Sequence, residues 1–131
     1  MFNAKELQLL NSITEEFSRK AKHKKMQNFK EFMGKLYIFL GAVEKGFEAT
    51  IYDYTNELTL RDQADRLLDE IPPILKKKVK NLLSDWDKRF DEATNVVSEP
   101  LLGENPQWWW YRIPKILVGE LKEDVESLDI K

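Results

Sequence analysis

From Met1 to Met33 the chain runs without a glycine or a proline, and its 131 residues contain only five of each. An all-β protein needs a turn roughly every 8 to 12 residues, and each turn draws on those residue types. A chain this poor in them is bound for helices. The expected architecture is all-α: an antiparallel bundle of four to five helices with one long second helix, in a single domain spanning 1–131.

The apolar spacing sets the expected elements. Asn3 is a good N-cap, with Glu6 at the third helical position, and Leu7, Leu10, Ile13, Phe17 and Ala21 share the following face. The cationic run Arg19 to Lys25 suits a helix C-terminus, and a turn is expected at 23–28. A second stripe, Phe29, Met33, Leu36, Leu40, Val43, Phe47, Ile51, Tyr54 and Leu58, alternates steps of four and three. Sustained over about 30 residues, it predicts a helix roughly 45 Å long. Gly34 and Gly41 fall on nearly one face of it, which suggests close approach of a neighbouring helix. Thr59 could then cap a third helix, with Asp62 in a shortened capping box, until Pro72 and Pro73 end or kink it. A further stripe runs from Leu75 to Val97. Ser98 to Gln107 reads as a loop, and Asn105-Pro106 as the start of a last helix, kinked at Pro114 and reaching about 128. The alternative is a short turn with a helix from Pro114.

Charge alternates along the chain. Residues 1–43 hold eight Lys/Arg against four acids, 44–70 three against eight, 71–97 six against four, and 98–131 four against seven. Neighbouring helices could thus meet with complementary charge. Lys76, Lys77, Lys78 and Lys80 oppose a helix dipole if a helix starts at Pro73, so they need an anion or an acidic partner.

Several chemistries lack their residues. With no cysteine there is neither disulfide nor thiolate catalysis, and one histidine is too few for an ordinary zinc site. No metal and no cofactor is expected, although Glu44, Glu48, Asp62, Asp65 and Asp69 have helical spacings that a carboxylate-only Mg²⁺ site could use. No phosphate-binding glycine loop and no serine-hydrolase elbow is present. Charged residues at 34% and the lack of a long apolar run argue against a membrane span, and no signal peptide is evident. The cytoplasm is the default location.

One segment asks for a role: "WWWYR", Trp108 to Arg112. In a helix, successive residues point about 100° apart, so three adjacent indoles cannot all enter one core. Trp110 keeps the phase of the apolar stripe. Trp108, Trp109, Tyr111 and Arg112 are the candidate partner-binding residues, since Trp, Tyr and Arg dominate interface hot spots. The leading expectation is a non-catalytic binding or regulatory protein that contacts another protein chain or itself. The alternative is a nucleic-acid-associated helical protein, an RNase included, that uses Arg19, Lys20, His23, Lys24 and Lys25 together with Lys76, Lys77 and Lys78. "RKAKH" comes near the arginine–polar–histidine arrangement of small helical RNases of the HEPN type. Its gap is shorter, and no catalytic residue is assigned from it.

Overall fold

The computed structural model describes residues 1–22 and 28–131. Among these it is mostly helical, with α1 (Ala4–Ala21), α2 (Phe29–Lys45), α3 (Ile51–Leu68), α4 (Pro73–Glu92) and α5 (Gly119–Ser127). Two short strands, β1 (Thr94–Val96) and β2 (Arg112–Pro114), pair antiparallel, and a 3-10 turn at Trp108–Tyr111 leads into β2.

α1 begins with the capping box read from the sequence. The Glu6 amide donates to Asn3 Oδ1 at 2.8 Å, and the Asn3 amide to Glu6 Oε1 at 3.0 Å. The expected turn at 23–28 lies almost wholly outside the described residues. Asn28 caps α2, and Asn11 of α1 accepts from the Phe29 and Lys30 amides at 3.1 and 3.3 Å. The two helices are thereby joined at α2's unsatisfied end.

The long second helix is two helices. α2 stops at Lys45, where Gly46 takes φ +119 and a Cβ would stand 3.0 Å from the Val118 side chain. Phe47 then bridges to Leu117, and Thr50 caps α3 in a box with Asp53. The apolar spacing passes through this break because Phe47, Ile51, Tyr54 and Leu58 all still pack inward, on a turn and then a new helix. Spacing reports burial and says nothing of backbone continuity. The Thr59–Asp62 cap is likewise corrected, since both residues lie inside α3. Gly34 and Gly41 receive no close neighbour: a Cβ at either meets nothing within 4 Å.

α4 starts at Pro73 with Pro72 as its N-cap, so the two prolines separate α3 from α4. α4 also carries three ion pairs to other helices. Lys78 reaches Glu6 of α1 at 2.7 Å, Arg89 reaches Glu44 of α2 at 2.6 Å, and Asp87 receives Arg61 of α3 at 2.8 Å. Lys78 thus has the acidic partner its helix position calls for. The expected final helix from Pro106 is replaced by the 3-10 turn, β2 and then α5. The segment is held by main-chain bonds that a helix would have used internally: Val97 to the Tyr111 carbonyl and Leu101 to that of Trp110, both 2.8 Å. α5 opens at Gly119, φ +55, where an added Cβ would lie 2.9 Å from the Glu48 carbonyl oxygen.

The core falls into two clusters. One joins Leu10, Phe32, Leu36, Leu60, Leu67 and Leu83; the other joins Phe39, Tyr54, Leu58, Phe90, Trp110 and Leu121. Trp86 packs against both.

Candidate interaction surface

The tryptophan segment divides by the geometry of its 3-10 turn. At three residues per turn, positions i and i+3 eclipse, so Trp108 and Tyr111 share a side while Trp109 and Trp110 are aimed elsewhere. Trp109 and Trp110 are buried, at 3% and 1% exposure. Trp108 keeps 37% of its surface exposed and Tyr111 is half-buried.

Two adjacent buried indoles bring two N–H donors inside, and buried donors need acceptors. One carboxylate serves both. Asp62 Oδ1 accepts from Trp109 Nε1 at 2.8 Å and from Trp110 Nε1 at 3.0 Å, and Oδ2 lies 3.0 Å from Trp110 Nε1 as well. The preceding loop closes over this group through Asn105, whose side chain also accepts from the Gln107 amide at 3.2 Å. One residue earlier on α3, the Arg61 guanidinium lies 4.4 Å from the centre of the Trp109 ring. Arg61 grips Asp87 with two nitrogens at 2.8 Å each and reaches Asp65 at 3.0 Å. Burial pulls the Arg61 pKa down, but the hydrogen bonds and charges of Asp87 and Asp65 outweigh it and hold the group above its ordinary value.

Trp108 rests on this base. Its ring packs edgewise on Phe90 and on Trp109, each at 5.9 Å between centroids. Arg112 lies 5.5 Å from its ring centre, forms an ion pair with Asp91 and donates to the Thr94 carbonyl. Beneath it, the Tyr54 hydroxyl donates to the Arg112 carbonyl at 2.9 Å. Burial pushes the Tyr54 phenol well above its usual pKa, with Arg112 opposing weakly, so it is a neutral donor there. Arg112 is therefore spent on internal partners, its side chain only 15% exposed.

Of the four candidate partner-binding residues, Trp108 and Tyr111 reach the surface. Trp109 is packed inside and Arg112 is tied down. Trp108 and Tyr111 border an open groove with Val96, Ser84, Lys88 and Asp91, and Val96 is 69% exposed. The sequence put Val97, not Val96, at the end of the α4 stripe, and Val97 is buried. On β1, Thr94 is buried while Asn95 and Val96 are both exposed. The sequence offered Asp62 as a capping-box residue and as one acid of a carboxylate set, yet two buried tryptophans side by side are themselves a demand for a hydrogen-bond acceptor.

The basic candidates do not form one described group. Arg19 and Lys20 are exposed in the last turn of α1 and pair with Glu16. Lys78 pairs with Glu6 in the first turn, about 20 Å away along a helix rising 1.5 Å per residue. Lys76 is half-buried and Lys77 exposed, while His23, Lys24 and Lys25 lie outside the described residues. Among the described residues no group of three or more carboxylates or histidines could hold a metal ion, and no helix is long and apolar enough to cross a membrane. No family model matches the chain, and neither a curated protein nor a solved structure matches it.

Proposed function

We propose that this chain is a non-catalytic, cytoplasmic helical-bundle protein, its helices antiparallel, that works by binding another protein through the face around Trp108, Tyr111 and Val96. The observation that carries the reading is the state of Trp108. A large indole is left 37% exposed beside a 69% exposed valine, on a base made rigid by buried hydrogen bonds. Exposed aromatics on a fixed scaffold bind at low entropic cost, because little ordering is left to do. The groove's mixed rim of Lys88 and Asp91 suits a partner segment with an apolar anchor and flanking charges of both signs.

The test places a photo-crosslinking residue at Val96 and compares adducts with and without Trp108→Ala. A discrete protein adduct that falls at least tenfold with Trp108→Ala, at unchanged melting temperature, supports the reading. Hot-spot aromatics cost about 2 kcal/mol or more when truncated, which exceeds tenfold in affinity. An adduct indifferent to Trp108, or none, removes this face as an interface.

A further inference from the structure

The outer face of α2 is a second unpartnered surface, built differently from the aromatic one. Ile38 is 72% exposed at the middle of the helix. At 100° per residue, Glu31, Gly34, Lys35, Gly41, Ala42 and Lys45 all lie within about 60° of it. Beside Ile38 the surface falls into a groove between α2 and α3, lined by Phe39, Ala42, Phe47 and Ala49 together with Lys35, Asp53 and Glu57. Besides Lys35, this face carries two charges of opposite sign placed evenly about Ile38. Glu31 and Lys45, both exposed, stand seven residues before and seven after Ile38.

We propose that this face binds a second copy of the chain, α2 against α2 in antiparallel sense, about a twofold axis passing beside Ile38. That axis sets Glu31 of each copy opposite Lys45 of the other, so both ends of the contact carry an ion pair. It also sets Gly34 opposite Ala42 and Lys35 opposite Gly41, which leaves room for the backbones to approach around the two isoleucines. The same patch serves both copies, as a closed twofold contact requires. A parallel pairing would oppose Glu31 to Glu31 and Lys45 to Lys45, so the charges choose the direction. The inference is independent of the aromatic face.

One helix face is a small interface, so the expected dimer is reversible and concentration-dependent. Sedimentation velocity from micromolar to near-millimolar protein, at low ionic strength, reads it directly. Wild type shifts from monomer to dimer. Ile38→Arg stays monomeric throughout with an unchanged melting curve, since the position is exposed. Glu31→Lys weakens association about tenfold by replacing two attractions with two repulsions, and the double reversal Glu31→Lys/Lys45→Glu restores it. A wild type monomeric at every concentration, a dimer that survives Ile38→Arg, or a double reversal that fails to recover would each overturn the proposal. Trp108→Ala leaves this dimer intact. A dimer lost in Trp108→Ala and kept in Ile38→Arg would move self-association to the aromatic face.

Discussion

Asp62→Ala is the most informative single substitution. It removes the acceptor of both buried indole N–H groups while leaving the rings in place. Trp110 is 1% and Trp109 3% exposed, so water cannot simply take over. Each buried donor left unsatisfied costs about 1–3 kcal/mol, and two give roughly 3–5 kcal/mol after partial relaxation. That is a large part of the roughly 5–15 kcal/mol that holds a domain of this size together. In melting temperature it corresponds to about 10–18 °C, from an unfolding entropy of about 2.1 cal/mol/K per residue. Asp62→Asn should cost much less, about 1–2 kcal/mol. Its one oxygen can still accept from both indoles, which already share Oδ1, and only the added amide is misplaced. The assay is urea denaturation followed by far-UV circular dichroism, with the indole N–H resonances read by NMR in native buffer. Both resonances should move and lose their protection from exchange in Asp62→Ala. A loss below about 1 kcal/mol, with unmoved indole resonances, would refute the claim that this carboxylate anchors the segment.

Gly119→Ala should destabilise the protein by more than about 1–2 kcal/mol, the cost of left-handed backbone for a residue with a Cβ. The new carbon would also press on the Glu48 carbonyl at 2.9 Å; thermal melts check it, and an unchanged midpoint would mean that the α5 start is not held as described. Glu44 is held below the usual carboxylate range, first by its hydrogen bonds from Arg89. A carboxylate depressed in the folded state adds stability that is full above the unfolded value and is lost as pH falls through the folded one. Glu44→Gln should therefore lower the midpoint at pH 7 and flatten the acid limb below about pH 4.5, and equal acid limbs for both proteins would contradict the pairing.

What could be read in advance followed from local rules. The Asn3–Glu6 capping box and the loop at 98–107 depend on residues a few positions apart, whereas the two prolines left an end or a kink open, and the structure has an end there. The periodic stripes named Leu10, Leu36 and Leu58 as core correctly, because burial on a helix recurs with its turn. The break at Gly46 and the strand at 112–114 were not legible that way. Each exists because distant backbone stands beside it: Leu117 beside Phe47, and β1 beside β2.

The candidate surface divides along the same line. Sequence alone implied that three adjacent indoles could not all enter one core from a helix, since successive side chains diverge, and it left open whether the cluster is core or interface. Which indole stays outside was decided by a carboxylate 47 and 48 residues earlier in the chain, on α3. Asp62 accepts from Trp109 and Trp110, and from Asn105 of the preceding loop, while Trp108 is left at the surface on top of them. A hydrogen bond between residues that far apart leaves no periodic trace in the sequence, because only the packed helices bring its partners within 3 Å.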